Sequence, residues 1–113
     1  MIKVFIDADG EPRFLYHGLR GSRVVPLDQW VTAERKWVTE GSNPYYWSGF
    51  HAYRSLDDVR AWLRRCRIRE GRAAVEIDCE RVRPKPTAGE AMLAGAMRVT
   101  SGQWSRRVAL NAF

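Results

Sequence analysis

The sequence predicts an α+β fold in which a small mixed or antiparallel sheet packs against one main helix. Apolar residues alternate with carboxylates over Ala74–Val82, which is the pattern of a strand with one buried face. Over Asp57–Arg67 the apolar spacing changes to that of an amphipathic helix. The 113 residues contain no internal repeat and no linker-like segment, so we expect a single domain over residues 1–113.

The first predicted element is a β-hairpin. Lys3–Ile6 and Arg13–Tyr16 are apolar runs rich in strand-forming residues. The Asp9-Gly10 pair between them suits a tight turn, because glycine readily adopts the positive φ that such turns require.

The segment between Val24 and Val38 is less regular. Val24–Leu27 is short, and its proline predicts a place at a sheet edge. Gln29–Val38 fits helical spacing but is rich in β-branched and aromatic residues, so it is compatible with either structure. We favour an extended segment that pairs with the chain after the turn Glu40–Pro44.

The helix has signals at both ends. Ser55 is a good N-cap, and two aspartates in the first turn favour the positive end of the helix dipole. Gly71 is the expected stop just past the last turn. The helix carries an apolar stripe and a basic stripe, formed by Leu56, Val59, Leu63 and Cys66 and by Arg60, Arg64 and Arg67, respectively.

Several elements are expected after the alternating strand. Pro84-Lys85-Pro86 ends that strand. Thr87–Ala94 is predicted to form one short helical turn, and Met97–Thr100 a last strand. Trp104–Phe113 is hydrophobic and basic, and it either docks on the domain or frays.

The composition narrows the classes of partner. A net charge of +6, carried almost entirely by arginine, favours an anionic partner and argues against an acidic mimic of nucleic acid. No apolar run approaches the roughly 18 residues of a membrane span, and no signal peptide is recognisable. We therefore expect a cytoplasmic protein in which Cys66 and Cys79 are buried, reduced thiols, with a disulfide between them as the alternative.

The aromatic turn Tyr45–His51 is the most informative stretch for function. Its aromatic faces suit stacking on a base or a nicotinamide ring, and Gly49 permits close approach of a ligand to the backbone. His17 could bond a ligand hydroxyl or phosphate, or it could simply form a hydrogen bond to the backbone at the end of its strand. The aromatic residues of the turn could likewise only form part of the core. The candidate ligand- or partner-binding residues are His17, Arg20, Arg23, Tyr45, Tyr46, Trp47, His51, Arg60 and Arg64. No catalytic residue and no metal ligand is assigned.

The order of several short motifs resembles a group of small uncharacterised phage and prophage proteins. The shared pattern runs from about Phe14 to Val99, most of the chain. Its parts are His17-Gly18, Gly21-Ser22-Arg23, Pro26-Leu27, Trp30 and Ser48-Gly49-Phe50-His51. The resemblance implies a protein that acts in a host bacterial cytoplasm.

A more distant resemblance is to ADP-ribosyltransferases of the histidine-tyrosine-glutamate type. Tyr16-His17-Gly18 and Trp47–His51, with the helix that follows, are similar to the segments of that fold which hold NAD. The resemblance implies that His17 would bind the ribose and that Trp47 or His51 would bind the nicotinamide. The glutamate that the family needs near its last strand is missing, because Leu93–Val99 contains none.

These observations lead to three functional expectations. The first is a small basic phage-type binding protein without a cofactor, a counter-defence inhibitor of a host immune protein or a binder of a nucleotide-like ligand. The second is a mono-ADP-ribosyltransferase that uses NAD, and the third is a nucleic-acid-binding protein. The missing glutamate favours binding over catalysis.

Overall fold

A computed structural model of the chain describes residues 1–15, 23–39, 45–66, 68–86 and 89–113. Within these residues ten strands form antiparallel sheets beside one main helix, which confirms the α+β class. In chain order the elements are β1 (Ile2–Ala8), β2 (Glu11–Phe14), β3 (Trp30–Thr32), β4 (Trp37–Val38), β5 (Tyr46–Trp47), β6 (Phe50–Ala52), α1 (Leu56–Leu63), β7 (Arg72–Glu76), β8 (Asp78–Pro84), β9 (Met92–Arg98), α2 (Ser101–Ser105), β10 (Val108–Ala109) and a 3₁₀ turn (Leu110–Ala112).

The first sheet has the order β10-β7-β1-β2 and contains the predicted hairpin. In its turn Asp9 and Gly10 have φ values of 52° and 92°, and the Gly10 amide donates to the Asp7 carboxylate at 2.8 Å. β2 ends at Phe14, earlier than predicted, and Tyr16 lies outside the described residues. Val24–Leu27, the segment expected at a sheet edge, forms one isolated β-bridge to β2, in which Val24 pairs with Arg13.

The second sheet is built around β9. β8 pairs along one edge of β9, whereas β3 and β6 lie end to end along the other edge. A separate two-stranded ribbon consists of β4 and β5. The extended conformation favoured for Gln29–Val38 is confirmed for β3 and β4. The predicted pairing with the chain after residue 44 is confirmed for β4, whereas β3 pairs with β9. The turn Glu40–Pro44 itself lies outside the described residues.

The prediction of one continuous strand over Ala74–Val82 is wrong. The chain changes sheet at Ile77, because β7 pairs with β1 in the first sheet and β8 pairs with β9 in the second. Val75, Ile77 and Cys79 nevertheless all pack against the core between the sheets. The alternation in the sequence continues through this corner and conceals it. β8 ends at Pro84, as expected.

The main helix starts where predicted and ends earlier. The Ser55 hydroxyl accepts the Asp58 amide at 3.2 Å, so Ser55 is the N-cap. α1 stops at Leu63 rather than Arg67, because Leu63 is the last residue of the apolar stripe that packs fully into the core. Gly71 is not the helix stop; with a φ of 68° it belongs to the turn that leads into β7.

The predictions for the stretch after β8 also need correction. Met92–Ala94 belong to β9, so the helical turn expected over Thr87–Ala94 is wrong for the described part of that range. The strand predicted over Met97–Thr100 is β9, which starts at Met92 and ends at Arg98, and the short strand β10 follows it. Small residues at positions 94–96 remove the apolar–polar alternation that would have marked β9.

The segment Trp104–Phe113 docks on the domain. Thr100 and Gln103 form a capping box that starts α2, and β10 pairs with β7. The indole nitrogen of Trp104 donates to the Gly10 carbonyl at 2.9 Å. Of the two alternatives for Trp104–Phe113, the structure therefore shows docking on the domain.

Two apolar cores lie on opposite faces of the first sheet. Adjacent residues of a strand point to opposite faces, so β1 contributes to both cores. Residues between the two sheets include Phe5, Phe14, Val75, Met97 and Trp104. Residues beneath α1 include Val4, Val59, Leu63 and Leu110.

Three further properties bear on the function classes. Within the described ranges, no helix is long and apolar enough to cross a membrane. The same residues contain no group of three or more histidine, cysteine, aspartate or glutamate side chains placed to hold a metal ion. Cys66 and Cys79 are free thiols and are half-buried, less deeply than predicted.

Candidate functional site

Three aromatic side chains are exposed on the ribbon formed by β4 and β5. Trp37, Tyr45 and Trp47 keep 56%, 58% and 42% of their surface accessible. Trp37 and Tyr45 stack with ring centres 6.1 Å apart, and Trp37 meets Trp47 edge-on at 5.0 Å. We call these three residues the aromatic ribbon.

The period of the strands explains which aromatic residues face outward. Trp37 lies directly opposite Trp47, and Tyr45 is two residues before Trp47, so all three share one face. Tyr46 points to the other face and is buried. Tyr46 therefore supports the ribbon from its inner side and does not offer its ring to a ligand.

Ser48 fastens the ribbon to the segment that precedes it. Its hydroxyl donates to the Glu34 carbonyl and accepts from the Lys36 amide, both at 2.9 Å. Between these two residues, Arg35 places its guanidinium 4.5 Å from the centre of the Trp47 ring. A cation–π contact of this kind contributes on the order of 0.5–1 kcal/mol at an exposed site and keeps the guanidinium beside the ring.

Gly49 has a structural role in this turn. A Cβ at this position would lie 2.8 Å from the carbonyl oxygen of Ala94 and 3.3 Å from the Cβ of Leu93. The backbone of β9 thus occupies the space beside Gly49 that was predicted to receive a ligand. A glycine is required here because two strands come close together.

A cleft of about 450 Å³ adjoins the aromatic ribbon. We call it the arginine cleft, because three guanidinium-bearing residues line it and no carboxylate does in the part of the chain that the structure describes. Its walls include Thr32, Arg35, Ser48, Arg81, Arg83 and Gly95. The cleft therefore presents positive charge and hydrogen-bond donors, which suit a phosphate or a carboxylate.

Two arginines of β8 are held in place by the strands around them. Nη2 of Arg83 donates to the carbonyl oxygens of Trp47 at 2.6 Å and of Ser48 at 3.0 Å. Arg81 has a φ of 54° and lies opposite Gly95, where a Cβ would come within 2.7 Å of the Arg81 Nε. Gly95 therefore leaves the space that the Arg81 side chain occupies over β9.

The arginines of the cleft were missed by the sequence analysis. Arg35 and the pair Arg81 and Arg83 are far apart in the chain, and β9 brings them together through its two edges. One signal was available, because residues two apart in a strand share a face and Arg81-Val82-Arg83 has that spacing.

The basic residues predicted on the helix lie elsewhere. α1 packs over the face of the first sheet that is remote from the second sheet. There Arg60 contacts Asp57 at 2.8 Å and places its guanidinium 5.4 Å from the Phe113 ring. The structure thus does not bring Arg60 and Arg64 to the aromatic ribbon, while His17 and Arg20 lie outside the described residues.

Arg23 and His51 line a second cavity, of about 180 Å³, together with Lys3. The ammonium of Lys3 donates to the His51 carbonyl at 2.7 Å and lies 5.9 Å from the centre of the Phe50 ring. Burial lowers the pKa of Lys3 to about 8. This lysine joins β1 to β6 and so holds the chain that follows the ribbon.

Comparison with known proteins assigns no family to the chain. No protein-family model, no curated protein and no solved structure matches it. The resemblances to phage proteins and to ADP-ribosyltransferases stay predictions. The chemistry of the aromatic ribbon and the arginine cleft therefore carries the functional conclusion.

Proposed function

We propose that this chain is a binding protein that holds a nucleotide-class ligand, with a base on the aromatic ribbon and a phosphate in the arginine cleft. The proposal rests on the observation that the aromatic ribbon and the arginine cleft form one continuous surface. Arg35 lines the cleft and lies over the Trp47 ring, and Arg83 lines the cleft and bonds the Trp47 carbonyl. One molecule with an aromatic part and an anionic part can contact both.

The residue types suit the two parts of such a ligand. Indole and phenol faces stack on any base, and each stack is worth about 1–3 kcal/mol in single-strand-binding proteins. A guanidinium presents a planar fork of N–H donors that matches two oxygens of a phosphate. The net charge of +6 attracts the same ligand from a distance.

The composition of the cleft supports binding rather than catalysis. General acid–base chemistry uses a histidine, carboxylate or thiol close to the reacting atoms, and the described walls of the cleft hold none. The hydroxyl of Ser48 is bonded to backbone groups on both sides. An ADP-ribosyltransferase would need His17, which lies outside the described residues, and a glutamate, which β9 lacks.

Fluorescence titration of the chain with adenosine monophosphate and with a single-stranded oligonucleotide tests the proposal. Trp37 and Trp47 are exposed, so we expect a bound base to quench their emission. Trp47→Ala should weaken binding about 5- to 150-fold, the loss of one stacked base. Arg35→Gln should weaken it as well, whereas the matched control Arg64→Gln on α1 should not. If neither probe binds to the wild-type chain, the proposal is wrong.

A protein partner is the second candidate, favoured by the type of the exposed residues. Tryptophan, tyrosine and arginine dominate the energetic centres of protein interfaces, and the aromatic ribbon with Arg35 combines all three. The counter-defence role of a phage-type protein is one form of this candidate, in which the partner is a host immune protein. Affinity capture from bacterial lysate should then recover one protein with the wild type and lose it with Trp37→Ala. Equal recovery with both chains would exclude this candidate.

A further inference from the structure

A third exposed tryptophan lies on the other side of the arginine cleft. Trp30 keeps 42% of its surface accessible, and the guanidinium of Arg98 lies 4.9 Å from its ring centre. Thr32, two residues further along β3, is exposed and lines the cleft. Because residues two apart in a strand point the same way, Trp30 faces the side of the sheet on which the cleft opens.

The pairing of β9 sets the distance between the two aromatic positions. Trp30 pairs with Arg98, and Phe50, three residues after Trp47, pairs with Ala94 on the same edge of β9. Four residues of a strand span roughly 13 Å. The chain that forms the ribbon leaves this edge between Ala33, whose amide donates to the Gly95 carbonyl, and Phe50. Trp30 therefore lies along the edge from the base of the aromatic ribbon, and Gly95, between the two pairing sites, lines the arginine cleft.

Two stacking surfaces separated by one cationic cleft match a chain of nucleotides better than a single one. A mononucleotide carries one base and would occupy one platform. A single strand carries bases at intervals, joined by phosphates that alternate with them. A duplex offers no such match, because its bases are already stacked on one another.

We propose that the ligand is single-stranded nucleic acid, with one base on Trp30, another on the aromatic ribbon, and the intervening phosphates in the arginine cleft. This inference rests on the proposed function and adds the class of ligand to it. The surface then works as a short track with a platform at each end.

The carboxylates along this track are paired with cations. Asp78, beside Trp30, accepts from Arg98 at 2.8 Å and from the Gln103 amide at 3.0 Å. Glu34 contacts Lys36 at 3.3 Å, and Glu80 contacts Arg81 at 3.7 Å. Each negative side chain therefore has a positive neighbour that reduces its repulsion of phosphate.

Binding to homopolymer oligonucleotides of one to about twelve nucleotides tests the inference, since single-strand-binding domains occupy about 4–16 nucleotides. Affinity should rise with length and then level off, and it should exceed that for a duplex of the same length. With three arginines on the phosphates, the logarithm of the binding constant should fall with the logarithm of salt concentration with a slope of about −2. Arg35→Gln should make that slope less steep by about 0.7.

Trp30→Ala separates the track from a single binding platform. It should weaken binding of the long oligonucleotide about 5- to 150-fold and weaken binding of adenosine monophosphate by a smaller factor, because the aromatic ribbon still offers a platform for one base. Ile68→Ala removes another exposed apolar side chain away from the track and should change neither affinity.

Three outcomes would overturn the inference while the proposed function stands. They are equal affinity for the mononucleotide and the longest oligonucleotide, no effect of Trp30→Ala on either, and tighter binding of the duplex. Failure of every nucleotide probe to bind would instead remove the proposed function itself, and this inference with it.

Discussion

Trp104 and Trp37 place the same side chain in opposite surroundings. Trp104 is buried between the sheets, its ring meets Phe5 edge-on at 6.3 Å, and its indole nitrogen donates to the Gly10 carbonyl. Trp37 is more than half exposed, on a strand of two residues, and its ring contacts are with the neighbouring aromatic side chains. A count of aromatic residues therefore does not distinguish the core of this small domain from its surface.

Arginine accompanies both kinds of tryptophan, so the arginine–aromatic contact alone does not mark a binding site. Arg107 lies 4.6 Å from the Trp104 ring centre and also donates to the Asp7 carboxylate at 2.7 Å. Although burial alone would raise the pKa of Asp7, the hydrogen bonds from Arg107 and the Gly10 amide lower it. In the arginine cleft no described carboxylate lines the walls. The exposure of the ring, rather than its contact with an arginine, separates Trp104 from the tryptophans of the candidate site.

The largest difference should appear when each tryptophan is removed. Trp104→Ala should lower the free energy of unfolding by about 3–5 kcal/mol, because a buried ring is lost and a cavity remains. Trp37→Ala should lower it by less than about 1.5 kcal/mol, the range for exposed aromatic pairs. Urea denaturation of the two variants measures both values. Similar losses in the two would show that the aromatic ribbon is a structural element and not a free surface.

The buried ammonium of Lys3 should give the core a distinctive response to pH. Its pKa in the folded chain, about 8, is below the usual lysine value of 10.5, so between these values the unfolded chain binds more protons. Stability linked to Lys3 should therefore increase from about pH 8 to pH 10.5, by up to about 3 kcal/mol.

The difference in unfolding free energy between the wild type and Lys3→Met, measured across that range, isolates this contribution. Lys36 is largely exposed, and Lys36→Met serves as the control for replacing a surface lysine by methionine. A pH-independent difference for Lys3→Met would show that Lys3 is ionised as readily in the folded chain as in water.

Gly49 tests how tightly the ribbon is joined to β9. Gly49→Ala should lower the free energy of unfolding by about 1–3 kcal/mol, because the new methyl group would overlap the Ala94 carbonyl. Gly102→Ala in α2 is the matched control, since its nearest neighbour is the flexible end of Arg106, and alanine favours a helix by up to about 1 kcal/mol. Thermal unfolding compares the two, and a neutral Gly49→Ala would indicate that the strands separate easily.

The smallest effect concerns the ion pair beside Trp30. The hydrogen bond from Arg98 lowers the pKa of Asp78, so this pair stabilises the fold above the unfolded pKa and loses its effect as pH falls through the folded value. Asp78→Asn should therefore lower stability at neutral pH by less than about 1 kcal/mol, because the pair is partly exposed, and should have no effect in strong acid. Glu76→Gln on the exposed side of β7 is the control. A loss that persists at low pH would point to packing and not to charge.

The sequence by itself determined the elements whose causes are local. The Asp9-Gly10 turn follows from the φ values that these residues tolerate, and the start of α1 follows from the hydroxyl of Ser55. Each depends on residues within a few positions of one another.

The tertiary structure alone decided what depends on distant neighbours. Whether Val75 and Cys79 belong to one sheet or two depends on which strands lie beside them, and the burial pattern is the same in both cases. The extent of β9 depends on partners that cover its small residues. Arg35 meets Arg83 at one cleft because β9 pairs on both edges, and Trp37 is exposed where Trp104 is enclosed because only the latter has sheets on both sides. These outcomes follow from contacts across the chain, which local preferences do not encode.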